Sequence, residues 1–357
     1  EQTDKGKIQR RKIMITKIHE FERNGVKNEV YRITNANGAE LDILTYGARM
    51  IRLTAPDKNG NFGDVLVGYA KPEDYVDLPR VFYGSLIGRY GNRIGESKFT
   101  LDGVTYNLQA NNGRNTLHGG FDGFDRRTFD AEIKGNKLVL TYLSPDGEGG
   151  YPGNMKVECS YEYTDDNEVV IDYYAVSDKK TLCNLTNHAY FNIGNDDTVL
   201  DQELMINSSR ITPVDDELIP HNDFMDIIGT PYSFKNGELL KTNMFSSDHM
   251  IALCKGFDFN YCLDRQTSHD LEHFAYVYDK ASGRKMDCYT DQPGVQLYTS
   301  NTMNGSVGKK VYKDYCALCL ETQGFPNSPN CPAYPSAVLE KNTPYRSTTV
   351  YKFSVVK

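Results

Sequence analysis

The sequence predicts an all-β fold, a large antiparallel β-sandwich, on three observations. Apolar and polar residues alternate with a period of two, most clearly over residues 155–163, and this is typical of a strand with one buried face. Hairpin turn signals recur along the chain. Helical periodicity is nearly absent, since only residues 72–76 and 246–253 could each form a turn or two. Many strands joined by turns, without alternating helices, favour packed antiparallel sheets.

Turn signals separate the predicted strands. In chain order they are Asn37-Gly38, Asn59-Gly60, Asp102-Gly103 and Asp165-Asp-Asn167. Asn-Gly and Asp-Gly pairs favour the positive φ angles that tight hairpin turns need. The last turn joins residues 155–163 to a returning strand over residues 169–176, which is rich in β-branched and aromatic side chains.

We expect a single domain over residues 13–357, because no linker, repeat or low-complexity tract divides the chain. Residues 1–12 are polar and basic without periodicity. They are expected to form an N-terminal extension, open to disorder, that is either a trimmed precursor end or an artificial boundary. The polar, glycine-rich loop over residues 144–153 is either a binding-site rim or a solvated connection.

The composition excludes several classes of function. A net charge of -8 in 357 residues provides no broad positive surface for a phosphate backbone, so nucleic acid is not an expected partner. No apolar stretch reaches the ~20 residues of a membrane span. The eight scattered cysteines are expected to be mainly free and buried, and Cys316-Ala-Leu-Cys319 lacks the further ligands of a zinc site. The default compartment is the cytoplasm, or the periplasm or exterior if a signal peptide once preceded Glu1.

Two of the seven histidines lie in unusual contexts. His118 precedes a glycine pair, which lets the backbone turn sharply and leaves the ring accessible, either at a site or on the surface. His188 lies in a predicted strand over residues 184–192, where it shares one face with Asn184, Thr186 and Tyr190. That face is too polar for a plain core, so it meets either a ligand or bulk solvent. The opposite face, mostly Leu, Ala and Phe, is expected to pack inward.

Glu321 ends an apolar run over residues 315–320 and shares a strand face with the small residues Ala317 and Cys319. Small neighbours leave room beside the carboxylate, and partial burial would raise its pKa toward the range of a general base. The alternative is a strand-end Glu in water. Arg93 lies in a glycine-rich segment without the spacing of a dinucleotide site, and Asp258 is a lone acid between aromatic residues. Since no serine-hydrolase, Walker or metalloprotease motif occurs, acid-base chemistry by His and Glu remains.

Nine segments make the sequence resemble the galactose mutarotase (aldose 1-epimerase) family from about Asn35 to the C-terminus. They are Tyr46-Gly-Ala, Gly88-Arg-Tyr-Gly-Asn-Arg-Ile-Gly95, Asn115-Thr-Leu-His-Gly-Gly120, Ser144-Pro-Asp-Gly-Glu-Gly-Gly-Tyr-Pro-Gly153, Asn184-Leu-Thr-Asn-His-Ala-Tyr-Phe-Asn192, Ile211-Thr-Pro-Val-Asp215, Gly256-Phe-Asp258, Gln292-Pro-Gly-Val-Gln296 and Cys319-Leu-Glu-Thr-Gln323. The resemblance implies the galactose mutarotase-like supersandwich with a carbohydrate cleft. It also implies a cofactor-independent and metal-independent epimerase that interconverts the anomers of free aldohexoses such as galactose and glucose, as a monomer or weak dimer.

The resemblance also implies residue roles. Glu321 would take the proton from the anomeric hydroxyl, while His188 would give one to the ring oxygen and open the ring. His118 and Arg93 would donate hydrogen bonds to oxygens that gain charge. The residues expected to hold sugar hydroxyls are Asp258, Asn92 and Gln296.

Four departures from the family pattern lie in loops and are expected to affect sugar preference: Arg114 in place of Pro, Phe129 in place of Trp, His221 with Asn222 in place of Thr-Gly, and Asn327 in place of Asp. Three other functions stay open. They are a non-catalytic carbohydrate-binding protein on the same fold, a hexose-6-phosphate 1-epimerase that uses Arg114 for the phosphate, and a glycoside hydrolase or lyase. The last would need a second carboxylate beside Glu321, and the sequence offers no convincing one.

Overall fold

The computed structural model describes residues 13–357, so the predicted extension over residues 1–12 lies outside the described residues. The strands of its first half are β1 (Met14–Arg23), β2 (Val26–Thr34), β3 (Glu40–Leu44), β4 (Arg49–Pro56), β5 (Phe62–Asp64), β6 (Leu86–Ile87), β7 (Arg93–Ile94), β8 (Lys98–Leu101), β9 (Val104–Asn107), β10 (Thr116–Leu117), β11 (Asp130–Lys134), β12 (Lys137–Ser144), β13 (Met155–Tyr163) and β14 (Glu168–Ser177). Those of the second half are β15 (Thr181–Leu182), β16 (Thr186–Asn187), β17 (Glu203–Ile206), β18 (Ser208–Ile211), β19 (Met225–Asp226), β20 (Glu238–Leu239), β21 (Asp258–Leu263), β22 (Glu272–Tyr278), β23 (Arg284–Thr290), β24 (Gly294–Tyr298), β25 (Cys319–Gln323), β26 (Val338–Leu339) and β27 (Tyr345–Val355).

The predicted all-β fold is confirmed. Helices within the described residues are limited to α1 (Asp74–Asp77), α2 (Leu240–Met244) and α3 (His249–Cys254), with short 3-10 turns at Gly95–Ser97, Phe124–Arg126, Glu148–Gly150 and Ser328–Asn330. Two of the helices, α1 and α3, lie where the sequence allowed a turn or two. The four turn signals join β2 to β3, β4 to β5, β8 to β9 and β13 to β14, and each of these pairs is an antiparallel hairpin.

The largest sheet has nine antiparallel strands in the order β11-β12-β13-β14-β27-β23-β22-β17-β20. Along β13 the burial alternates, and Val157, Cys159 and Tyr161 are fully buried between exposed or half-buried neighbours. This is the half-buried strand that the period-two pattern predicts. A second sheet is the meander β1-β2-β3-β4-β5.

A third sheet, of order β19-β18-β21-β24-β25, positions three predicted site residues. Gln296 of β24 lies opposite Glu321 of β25 and, on its other side, opposite Asn260 of β21. Asp258 begins β21 and lies opposite Tyr298. Because residues directly opposite in antiparallel strands share a face, the register brings these polar side chains together.

The sheets share one core. Its buried members include Leu41 of the meander, Val157 and Phe353 of the nine-stranded sheet, and Leu297 of the third sheet. All eight cysteines are buried and free, as expected. Within residues 13–357 no helix is both long and apolar enough to cross a membrane.

Candidate active site

Six of the seven predicted site residues line one cavity of about 190 Å³, with Gln296 as the exception. The lining residues are Phe82, Asn92, Arg93, Leu117, His118, His188, Tyr190, Asp258, Tyr298 and Glu321. The volume is on the scale of one small molecule. The structure therefore gathers residues from positions 92 to 321 into a single polar pocket.

Glu321 projects from the middle of β25 and is 2% exposed. Its Oε1 atom lies 3.5 Å from Nε2 of His188, and its Oε2 atom has no hydrogen-bond partner among the described residues. The carboxylate is therefore held in the pocket with one oxygen unpaired, rather than turned to water.

His188 follows the short strand β16 and is anchored by its backbone. Its N–H donates to the Ser85 carbonyl at 2.9 Å, and its carbonyl accepts from the N–H of Gly84 at 2.9 Å. The continuous strand predicted over residues 184–192 was wrong, because only Thr186–Asn187 forms a regular ladder, with β6. The rest of the segment pairs with separate loops. The expected inward face is confirmed by Leu185, Ala189 and Phe191, which are at most 1% exposed.

His118 follows β10 at the cavity wall and is 5% exposed, so it is not a surface histidine. Its Nδ1 atom accepts a hydrogen bond of 3.0 Å from the backbone N–H of Asn92. The neutral ring therefore carries its proton on Nε2. The next residue must be glycine, since Gly119 has φ +82° and a Cβ there would lie 2.0 Å from the Gly88 carbonyl oxygen.

Arg93 and Asp258 face each other across the pocket, with Nη1 and Oδ2 3.9 Å apart. Arg93 also donates from Nε to Oδ1 of Asn112 at 3.1 Å. The side-chain oxygen of Asn92 accepts the backbone N–H of Arg93 at 2.8 Å, which leaves the amide of Asn92 as its free donor group. These contacts fix a cation, an anion and an amide donor at one end of the cavity.

Gln296 lies behind Asp258 instead of in the cavity lining. Its Nε2 atom donates to Oδ1 of Asp258 at 2.7 Å, and its Oε1 atom accepts from Nε2 of Gln323 at 3.3 Å. Gln323 is fully buried and also donates to Asn260 at 3.3 Å. The carboxamide of Gln296 is thus oriented by Gln323 toward Asp258, and its predicted contact with a sugar hydroxyl stays a prediction.

The electrostatics of the pocket follow from its burial. Burial raises the pKa of the Glu321 carboxyl well above its usual value, the nearby Asp258 raises this pKa further, and Arg93 opposes both effects. Burial lowers the pKa of His188 to about 3. Burial also lowers the pKa of His118 well below its usual value, with His188 and Arg93 acting in the same direction. Groups with pKa values shifted this way are typical of acid-base sites.

One atom each from His118, His188 and Glu321 lie within 4.8 Å of one another, a spacing that would also suit a metal ion. Hydrogen bonding argues against that use of His118. Its Nδ1 atom is occupied by the Asn92 N–H, so Nε2 bears a proton and offers no lone pair to a cation. Metal independence stays a prediction.

Four lining residues were not predicted as site residues: Phe82, Leu117, Tyr190 and Tyr298. Tyr190 was placed on the same face as His188 by alternation, without a role in the site. Tyr298 lies two residues beyond Gln296, so the same alternation could have found it. Leu117 directly precedes His118. Phe82 lies in a loop after α1 with no chemical motif around it, and no sequence pattern points to it.

The four departures from the family pattern lie outside the cavity lining. Arg114 is exposed and pairs with Glu217 at 2.7 Å, while Phe129 is buried in the core. His221 pairs with Asp215 at 2.6 Å, and Asn327 accepts the N–H of Gly95 at 2.9 Å.

The glycine-rich loop over residues 144–153 encloses the buried Arg89. The guanidinium donates to the carbonyls of Ser144, Pro145 and Pro152 at 2.8 to 3.0 Å. No residue of this loop is among those that line the cavity. The loop folds around a buried cation, its residues 145–147 are exposed, and its role as a binding-site rim or a solvated connection stays a prediction.

Comparison with known proteins shows the family. The family model for aldose 1-epimerase matches residues 29–352. The galactose mutarotase of Mus musculus is 38% identical over 320 residues, which cover 88% of this chain and 91% of that protein. The aldose 1-epimerase of Escherichia coli (strain K12) is 33% identical over 336 residues, covering 92% of this chain and 96% of that protein.

Solved structures show the same fold. The galactose 1-epimerase of Lactobacillus acidophilus superposes with a TM-score of 0.86 at 25% identity and covers 97% of this chain and 100% of its own. An aldose epimerase homologue from C. elegans gives a TM-score of 0.86 at 27% identity, over 92% of this chain and 100% of its own. The chain belongs to the aldose 1-epimerase family.

Proposed function

We propose that this protein interconverts the α and β anomers of free aldohexoses, galactose and glucose among them, with Glu321 as the base and His188 as the acid. The aldose 1-epimerase activity rests on the family and on relatives at 33–38% identity over most of the chain. The observation that carries the residue roles is the 3.5 Å approach of His188 to Glu321, with one unpaired polar atom left on each.

The chemistry needs two proton transfers. The Glu321 carboxylate takes the proton of the anomeric hydroxyl, and His188, protonated on both ring nitrogens at the start of this step, gives its Nε2 proton to the ring oxygen as the bond from C1 to that oxygen breaks. The products are an open-chain aldehyde, a protonated Glu321 and a neutral His188. Rotation about C1–C2 and the reverse transfers close the ring on the other face. Each positioned transfer contributes about 10²–10⁴-fold to the rate.

Burial favours the proton on Glu321 over the proton on His188, which is the direction of ring opening. It disfavours the charged form of each partner, since it raises the pKa of Glu321 and lowers that of His188. In the empty pocket the one proton that the pair shares therefore favours Glu321 over His188. Ring opening starts from the less stable arrangement, in which His188 holds the proton, and moves one proton from His188 to the sugar and one from the sugar to Glu321. Arg93 favours the carboxylate form of Glu321 that accepts the hydroxyl proton.

The remaining residues would hold the sugar and its developing charge. Neutral His118 presents its Nε2–H to the cavity because Asn92 fixes the tautomer. Arg93 donates to an oxygen that gains charge as the ring opens. Asp258 accepts hydrogen bonds from sugar hydroxyls in the orientation that Gln296 gives it, and the free amide of Asn92 donates to one.

The competing functions have less support. Arg114 pairs with the acidic Glu217 and is absent from the cavity lining, so it offers no free cation there for a 6-phosphate. Asp258 is a second carboxylate in the cavity that the sequence did not reveal as a partner of Glu321, but Gln296 donates to its Oδ1 atom and Arg93 faces its Oδ2 atom, an environment that suits a sugar-binding carboxylate. A non-catalytic binder has no need of the Glu321–His188 pair.

Polarimetry of freshly dissolved α-galactose and α-glucose tests the proposal. Micromolar protein should speed the relaxation of the optical rotation of both sugars without added metal. The Glu321→Gln variant should lose this acceleration but should still bind sugar when binding is measured by calorimetry. Glu22→Gln, on the exposed strand β1, is the matched control and should keep the parent rate. If the sugars relax no faster with the parent protein than without it, the proposed activity is refuted. If the Glu321→Gln variant is as active as the parent, Glu321 is not the base. Hydrolysis of aryl glycosides by the parent would favour the glycosidase alternative.

A further inference from the structure

His188 lacks the hydrogen bonds that usually orient a catalytic imidazole. Among residues 13–357 its Nδ1 atom has no hydrogen-bond partner, and its Nε2 atom lies 3.5 Å from Oε1 of Glu321. In many acid-base sites a third group holds the far ring nitrogen and so fixes the ring's orientation. Since none of the described side chains does this for His188, packing must fix the ring instead.

Two aromatic rings supply that packing. The ring of Phe82 is nearly parallel to His188, with an interplanar angle of 20° and a centroid distance of 5.7 Å. The ring of Tyr190 is also nearly parallel, at 17° and 5.0 Å. Phe82 in addition meets His118 edge-on, with centroids 4.7 Å apart. A single loop side chain therefore contacts both histidines of the cavity.

Phe82 is held from behind by an ion pair. The guanidinium of Arg80 lies over the Phe82 ring, 4.8 Å from its centroid. It donates to both carboxylate oxygens of Asp125, at 2.8 and 2.6 Å, and to the carbonyl of Gly120 at 3.0 Å. Asp125 is fully buried, so this bidentate pair ties the loop to the segment that carries His118.

We propose that Phe82 is a positioning residue, which holds the His188 imidazole in the orientation for proton transfer and keeps water away from it. The inference rests on the proposed acid role of His188. It extends the site to a residue that no chemical motif marks, and it assigns the Arg80–Asp125 pair the task of keeping Phe82 in place.

The exclusion of water has a measurable consequence. Burial holds the pKa of His188 at about 3, and Arg49 acts in the same direction. The titratable and charged groups around the two histidines are Glu321, His118, Arg49, Arg80, Arg93, Asp258, Tyr190 and Tyr298. Removal of the Phe82 ring leaves all of these in place and admits water, so the pKa of His188 should rise toward its usual value.

The test compares Phe82→Ala, Phe82→Leu and Phe82→Tyr with Phe62→Ala, which removes an exposed ring on β5. Kinetics by polarimetry should show kcat lowered about 10- to 100-fold in the Ala and Leu variants, with KM changed less than about 3-fold, because a misoriented acid costs turnover. Phe82→Tyr, which keeps the ring, should restore most of the rate. Phe62→Ala should match the parent.

A second readout does not depend on activity. Imidazole NMR of the parent, assigned with His188→Asn, should show His188 titrating at a lower pH than in Phe82→Ala or Phe82→Leu. An unchanged kcat in both folded variants, or an unchanged titration midpoint, would overturn the inference. A shifted midpoint in a protein that never accelerates mutarotation would uphold the positioning role and refute the proposed function instead. Phe82→Leu keeps an apolar side chain and serves if Phe82→Ala fails to fold.

Discussion

His188 Nε2 and Glu321 Oε1 lie 3.5 Å apart, and the second polar atom of each side chain has no partner among the described residues. This differs from the Arg80–Asp125 pair, in which both Asp oxygens are bonded. A buried pair with unmet hydrogen-bonding capacity costs stability. The His188–Glu321 pair is therefore a polar arrangement that a ligand in the cavity would complete.

The first prediction is that Glu321→Gln stabilises the free protein at alkaline pH. A carboxyl whose pKa is raised on folding contributes its stability only below the unfolded pKa, near 4.5, and loses it as pH rises through the folded pKa. Gln carries no charge and avoids this loss. At pH 8 the free energy of unfolding in urea should rise by about 1–3 kcal/mol, with a smaller difference at pH 4.

Glu22→Gln controls for the loss of one negative charge, and it should change the free energy of unfolding little at either pH. A Glu321→Gln variant that is less stable than the parent at pH 8 would mean that the carboxylate is well solvated or paired in the fold.

The second prediction concerns acid stability. His188 has a pKa of about 3 in the folded protein against 6.5 when unfolded. A group with a depressed pKa gives stability that is present above the unfolded value and is lost as pH falls toward the folded value. Between pH 7.5 and pH 5 His188 alone should cost the parent on the order of 2 kcal/mol. His188→Asn should show a correspondingly flatter decline in urea unfolding.

His269→Asn, at an exposed position, is the control and should decline with pH as the parent does. If the two variants have the same pH dependence, His188 is not neutral in the fold at pH 5.

The third prediction uses the two charges that act on Glu321. Arg93 lowers its pKa and Asp258 raises it. Arg93→Met should therefore move the acid limb of kcat/KM to higher pH, and Asp258→Asn should move it to lower pH, each by on the order of one unit. Both variants also turn over more slowly. If the acid limb of kcat/KM shifts in the same direction in both variants, Glu321 is not the group whose titration produces that limb.

The sequence predicted the parts of the fold that depend on near neighbours. The Asp102-Gly103 turn and the alternation over residues 155–163 are local signals, and both elements form as expected. The strand over residues 184–192 failed because its backbone groups bond to distant loops, such as Ser85 and Leu318, which the segment itself does not encode.

The features of the site also divide into those that the local sequence reveals and those that depend on contacts between distant segments. Glu321 and His188 are recognisable from their own segments, whereas the contact between them depends on the packing of β25 against the segment after β16. The role of Gln296 behind Asp258 depends on the register of β21 and β24. Phe82 has no local signal, because a phenylalanine in a loop is informative only when its neighbours in space are known.

A fourth prediction is that exhaustive chelation leaves the rate unchanged. The three side chains that could hold a metal are fully assigned as base, acid and N–H donor, and His118 has no free lone pair in its neutral tautomer. Polarimetry before and after dialysis against a chelator measures this. A loss that a divalent cation restores would contradict the assignment of His118 as a neutral N–H donor.

The last prediction tests whether Gln323 acts on the sugar site through Gln296. Gln323 is fully buried and donates to Oε1 of Gln296 and to Oδ1 of Asn260. In Gln323→Leu the carboxamide of Gln296 loses the contact that turns its amide toward Asp258, so Asp258 should hold the sugar less well. KM should rise about 3- to 10-fold, the equivalent of one hydrogen bond, while kcat changes little.

Gln202→Leu is the matched control, because Gln202 is equally buried but bonds to Asn192, outside the cavity lining. Both variants should lower the melting temperature, since each leaves buried polar groups unpaired. Only Gln323→Leu should raise KM. If KM is unchanged in a folded Gln323→Leu variant, the hold of Asp258 on the sugar does not depend on the contact between Gln323 and Gln296.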